Sequence, residues 1–144
     1  MIWKNEAISK LKEYNAKRLA LENIPLEIRQ QSLALSSIRS AATDSIPVRG
    51  GGSREDAILN NMTYRAELEE SLTRTQLQVS AIEKALSTLT PEERLLLDRF
   101  FIHPEAKAAD RLAGDLCVDV KTVYRRKDDA LRTFTLALYG VAET

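Results

Sequence analysis

Apolar residues recur every third and fourth position through most of the chain, which is the spacing of a helix face buried on one side. Over residues 3–42, Ala7, Tyr14, Leu21, Ile28, Leu35 and Ala42 stand seven apart. Ile24 and Ile38 take the companion positions, and Lys10, Lys17 and Gln31 fill the rest of that seam. Leu11, Leu19, Leu26 and Leu33 are expected to widen the inward stripe. Pro25 removes a backbone donor and crowds the preceding turn. The seven-residue period passes through it without a phase jump, which predicts one kinked, near-continuous rod.

A second seam runs over 53–89 through Ile58, Leu68, Leu72, Val79, Ile82, Leu86 and Leu89, with Asn61, Arg65 and Thr75 in the remaining slots. Between the rods lies 43–52, TDSIPVRGGG, where Pro47 and three glycines cannot sustain a helix. Ser53 followed by Asp56 resembles a helix cap at the restart. Two rods of about 55–60 Å joined by ten residues predict an antiparallel helical hairpin of the coiled-coil type over 1–89. A seam carrying polar residues also suits pairing with a second copy, with Asn61 or Arg65 fixing the register.

The pattern shortens after Leu89. Thr90-Pro91-Glu92-Glu93 is a helix start with a capping threonine, proline at the first helical position and a glutamate closing the box. A helix over 91–102 is expected to bury Leu96, Leu97, Phe100 and Phe101, and His103-Pro104 ends it. A second helix is predicted at about 105–116 and a third at about 120–139, stopped by Gly140. Three helices in about 50 residues make a marginal core alone, so packing of the incoming rod through Leu86 and Leu89 is expected to support it. The domain division is therefore 1–89 and 90–144.

Residues 112–131, LAGDLCVDVKTVYRRKDDAL, read as a helix-turn-helix. Leu112, Ala113 and Leu116 face inward on the first helix, Cys117-Val118 form the turn, and Asp119 caps the second. Val123, Ala130 and Leu131 face inward in their turn. Outward stand Lys121 and Arg125, one turn apart, where a recognition helix meets base edges; an arginine there can grip a guanine with two hydrogen bonds. Thr122 and Arg126 are placed for phosphates, and Tyr124 for sugar-phosphate or a thymine methyl. Asp128 and Asp129 then reverse the sign, with Asp128 at the spacing of a helical ion pair to Arg132. The basic face is short, so one copy is expected to bind with modest affinity and two copies to bind better. Lys107 and Arg111 are offered by the preceding helix, where solvation is their simpler role.

Composition narrows this reading. Lys plus Arg and Asp plus Glu both number 21, so the chain is neutral and any basic reader must be local. The one cysteine, Cys117, excludes an internal disulfide. No apolar run nears the roughly 20 residues of a membrane span, and the charged N-terminus has no signal-peptide core; cytoplasmic residence is the expectation. His103 is the sole histidine, beside a helix-ending proline, and reads as a cap. Trp3 reads as a packing residue or a dimer contact. Gly50-Gly51-Gly52 lacks the lysine of a phosphate loop. No enzyme, metal or cofactor signature is present in this reading.

LTPEERLLLDRFF, followed by LAGDLCV and then Val123 with Ala130-Leu131 in phase, resembles region 4 of bacterial sigma factors. With the helical N-terminal half, the chain resembles the small sigma-region-4-like ArpU/RinA-type late-gene regulators of phages and prophages. The resemblance implies an all-α fold with a C-terminal three-helix helix-turn-helix domain. It implies a transcriptional regulator that binds double-stranded DNA through Lys121, Thr122, Tyr124, Arg125 and Arg126, as a homodimer or higher homo-oligomer, with RNA polymerase as a further partner. Two departures stand out: Cys117 replaces the turn glycine, and Arg126 sits where an inward Ile or Leu is usual. The alternatives are a DNA-packaging component like a phage small terminase, and a module that contacts RNA polymerase without reading bases.

Overall fold

A computed structural model describes residues 2–44 and 52–142. It is all-helical: α1 (Trp3–Asp44), α2 (Gly52–Ser87), α3 (Pro91–Leu97) continued by a π-helical turn (Asp98–Ile102), α4 (Ala108–Leu116) and α5 (Val120–Tyr139). Among the described residues no helix is long and apolar enough to cross a membrane. The chain packs as two compact units, one of residues 18–77 and one of residues 1–17 with 78–144.

α1 is a single helix with Pro25 inside it. The proline is exposed; it removes one backbone hydrogen bond and its ring crowds the carbonyl of Leu21 one turn back, and the helix continues through it. The turn expected over 43–52 falls, but for its flanks, outside the described residues, as does the side chain of Ala42. α2 begins at Gly52, which puts Ser53 inside the helix rather than at its cap.

Within residues 18–77 the expected seams lie inward. Leu35, Asn61 and Thr75 are buried, and Leu21, Ile24, Ile28, Ile38, Ile58, Leu68 and Leu72 are half-buried. Asn61 Nδ2 donates to the Gln31 main-chain oxygen at 2.8 Å and to its side-chain oxygen at 3.3 Å. Arg65 Nε donates to Asn61 Oδ1 at 3.0 Å, and Arg65 Nη1 to Ser32 Oγ at 3.4 Å. Tyr64 donates its hydroxyl to Glu27 at 3.5 Å. Gln31 meets Asn61 while Glu27 meets Tyr64, so the two helices run in opposite directions here. Asn61 and Arg65 thus align α1 with α2 inside one chain, a use of these polar residues that the expected pairing with a second copy did not include.

One expectation about α1 is overturned. Leu19, Leu26 and Leu33 do not widen the inward stripe; they are 55%, 59% and 61% exposed. At about 100° per residue, each stands about 170° from the centre of the seam, on the opposite face. Leu11 differs in phase, standing only about 70° from the centre of the seam, and other elements cover it. It is fully buried with Ala7, Ile82, Ala85, Leu89, Leu97, Ala130, Leu131 and Phe134 in the core of the unit of residues 1–17 and 78–144. Burying a Leu or Phe of this kind stabilises by about 1.5–3 kcal/mol. Leu89, Leu86, Ile82 and Ala85 therefore support the C-terminal helices, as a three-helix core of this size requires. Trp3 packs on Tyr139, ring centroids 5.1 Å apart, and Lys10 lies over the same ring at 4.9 Å.

Candidate nucleic-acid interface

α5 is placed by its two neighbours, packing against both α3 and α4. A second cluster, Leu96, Ala109, Leu112, Ala113 and Val123, ties the three together. The start of α3 has the anticipated chemistry. Thr90 Oγ1 accepts from the Glu93 main-chain N–H at 3.2 Å, and Glu93 accepts from the Thr90 N–H at 3.0 Å. The π-helical turn closes on His103, whose N–H donates to the Asp98 carbonyl at 2.7 Å and whose Nδ1 lies 2.7 Å from Asp98 Oδ1. His103 is thus a cap. Asn15 Nδ2 donates to the Ile102 carbonyl at 3.1 Å and satisfies an acceptor at the end of that turn.

Between α4 and α5 lie only Cys117, Val118 and Asp119. Cys117 is left-handed, φ 57° and ψ 43°. The Val118 N–H donates to the Ala113 carbonyl at 3.1 Å and the Cys117 N–H to the Gly114 carbonyl at 3.4 Å. This is a Schellman close, with Val118 packed on the cluster that contains Ala113. Cys117 thus adopts the left-handed backbone that the turn glycine it replaces would hold, at a strain cost to a residue with a Cβ. Lys107, ahead of α4, is also left-handed at φ 58°.

Asp119 then caps α5. Its Oδ1 accepts from the Thr122 N–H at 2.8 Å. Hydrogen bonds from Thr122 hold the Asp119 carboxyl below the ordinary carboxylate range, and the nearby Arg125 charge acts in the same direction.

The basic run of α5 divides into two kinds of residue. Lys121 and Arg125 are exposed, one turn apart at the start of the helix, and neither has an ion-pair partner among the described residues. Arg126 and Lys127 are committed to the fold. Arg126 Nη1 reaches Glu92 Oε1 at 2.7 Å, joining α5 to the first turn of α3. Lys127 has only 18% of its side chain exposed. Its Nζ lies 5.2 Å from the ring centres of both Phe100 and Tyr124 and 3.2 Å from Asp128. Asp128 also lies 3.9 Å from Lys4. Tyr124 keeps 46% of its surface but leans on Phe100, with ring centroids 5.8 Å apart. Thr122 is half-buried. Arg111 lies 3.8 Å from Glu105, which holds Arg99 at 3.2 Å.

Of the five residues expected to face DNA, Lys121 and Arg125 thus form an exposed pair, Tyr124 flanks them, Thr122 serves the cap, and Arg126 is tied back to Glu92. The Glu92 partnership is not legible in the sequence, where that acid shows only as part of the Thr90–Glu93 helix start. The signal available was Arg126 itself, a charge at an inward phase that needed a partner on a facing helix. Comparison with protein-family models, with curated proteins and with solved structures finds no match to the chain.

Proposed function

We propose that residues 90–144 form a helix-turn-helix that reads double-stranded DNA with the N-terminal half of α5, and that α1 and α2 form an antiparallel coiled-coil hairpin through which two copies associate. In this reading the protein is a sequence-specific transcriptional regulator of the phage and prophage type. The observation that carries it is the exposed pair Lys121 and Arg125, directly after a three-residue turn and at the start of a helix whose other face is buried. Two long cations one turn apart can reach neighbouring base edges while the α5 backbone stays at the groove mouth. Tyr124 adds an exposed ring edge beside them. Capping of α5 by Asp119 partly offsets the positive field of the helix end, so the side chains rather than the helix terminus supply the attraction.

The test is selection from a pool of random-sequence duplexes, followed by titration of the selected duplex at several salt concentrations. Binding is expected to weaken as salt rises, and Lys121→Ala/Arg125→Ala is expected to abolish selection. Binding unchanged in the double variant would sink the groove assignment. Absence of duplex binding by the folded wild type would favour the module that contacts RNA polymerase without reading bases.

A further inference from the structure

We infer that the outer face of α1 is a second, intermolecular seam, and that its occupant is the same face of a second copy, parallel and in register. The inference deepens the dimer in the reading above and rests on that part of it, not on DNA recognition. Leu19, Asn23, Leu26, Gln30, Leu33 and Ser37 recur at alternating spacings of four and three along α1, and all six are exposed. Between residues 19 and 37 that alternation is the heptad pattern of a helix zipper, with leucine at each d-type position and a polar residue at each a-type position, while Lys12 and Ser40 occupy the d-type positions on either side. Between those bounds no charge falls on the stripe. The equivalent outer stripe of α2 carries Asp56, Glu67, Glu70 and Arg74, which is the ordinary composition of a solvated face. Three leucines more than half exposed, seven residues apart on a stripe without charge, are the pattern of a face that another helix covers.

The polar positions decide the orientation. In parallel register Asn23 meets Asn23 of the second copy and Gln30 meets Gln30, so their amides pair while leucine meets leucine. In the antiparallel arrangement Asn23 faces Leu26 and Gln30 faces Leu19, leaving four amides without partners. An unpaired buried amide weakens association by about tenfold, whereas an exposed like-charge pair costs about twofold. The antiparallel form would gain Glu22 against Arg29, and the parallel form sets Glu22 near Glu27. Glu27 is already turned toward α2, accepting from Gln31 at 3.1 Å and from Tyr64 at 3.5 Å. The amides therefore outweigh the charges. From Leu19 to Ser37 the stripe is about 27 Å long, and two such stripes bury on the order of 600–1,000 Å², below stable specific interfaces and in the range of weak, transient ones. The expected dimer is correspondingly weak, with Kd of about 1–100 µM.

Sedimentation equilibrium of the full chain tests this. The wild type is expected to show a monomer–dimer equilibrium, and Leu26→Lys/Leu33→Lys to weaken it at least about thirtyfold with unchanged helical circular dichroism, since both leucines are exposed. In a Cys117→Ser background, Gln30→Cys is expected to form a disulfide-linked dimer on mild oxidation. A wild type that stays monomeric at about 300 µM, well above that Kd range, overturns the proposal, as does a dimer indifferent to the two lysines. A dimer that fails to cross-link at position 30 overturns the parallel register. A monomer that still selects duplex DNA would refute the seam and spare the reader; a dimer that selects none would do the reverse.

Discussion

Cys117→Gly is expected to stabilise the protein. Cys117 holds φ 57° and ψ 43°, a region that costs an L-residue with a Cβ about 1–2 kcal/mol. Glycine removes that cost and adds about 0.5–1 kcal/mol of extra unfolded-chain entropy. The side chain forfeits little: it is exposed, and its Sγ makes only a 3.8 Å contact with the Gly114 carbonyl. Both Schellman hydrogen bonds come from main-chain N–H groups and survive the change. The net gain is about 0.5–1 kcal/mol, which at this chain length raises Tm by about 1–4 °C. Cys117→Val should move the other way by about 1 kcal/mol or more, because a β-branched residue is least tolerant of positive φ. Thermal unfolding of the three proteins under reducing conditions measures both shifts. If glycine proves neutral or destabilising while valine is tolerated, Cys117 is not strained and the argument from its backbone fails. Duplex selection should be the same for the glycine variant, since Lys121 and Arg125 are untouched.

Asn61→Ala removes an amide that donates to Gln31 and accepts from Arg65; urea unfolding is expected to show a loss of about 1–3 kcal/mol, and no loss would mean that solvent replaces the network. Asp119 has a folded-state pKa below its unfolded one, so its contribution is fully present above the unfolded value near 3.9 and is lost as pH falls through the lowered folded value. Asp119→Asn keeps a capping oxygen, and its stability relative to wild type should rise as pH drops from about 5 to 2; parallel acid-unfolding curves would contradict this. Arg126→Ala should match Glu92→Ala in stability, each costing about 0.2–1 kcal/mol for a partly exposed pair, and should leave the salt slope of duplex binding unchanged. A slope reduced by about 0.9 would instead assign Arg126 a phosphate.

Three short-range cap signals are legible in the sequence, whereas the Ser53–Asp56 pattern lies inside α2 and is not a cap. Thr90 to Glu93, Asp119 before α5 and Gly140 after it each announce a cap within three or four residues. The inward seams were legible from their period alone, and Pro25 left that period in phase. What escaped depends on partners far along the chain. Gln31 and Asn61 are 30 residues apart, and Glu92 and Arg126 are 34 apart, so neither pairing has a local signature. Lys127 reads as one more outward cation until Phe100 and Tyr124 flank its ammonium. The π-helical turn and the left-handed Lys107 carry no glycine or other marker. Leu19, Leu26 and Leu33 depart from the expectation for another reason: residue type alone points a leucine inward, but their phase on α1 places them opposite the seam.

The outward leucines of α1 bear on how the proposed reader would work. Each copy offers two uncommitted cations at the start of α5, because Arg126 and Lys127 are occupied within the fold. Two cations that displace counterions as they enter the groove yield a salt slope of at most about −2 per copy, and two copies about −4. Pairing on one duplex would make the second contact intramolecular, at an effective concentration near the millimolar range for a short connection. A weak seam on α1 then suffices, because DNA binding and self-association reinforce each other by linkage. Leu26→Lys/Leu33→Lys should therefore lower duplex affinity and roughly halve the salt slope although neither residue lies on α5. If duplex affinity and salt slope are unchanged in that variant, each reader acts alone, and the outer seam of α1 serves something other than recognition.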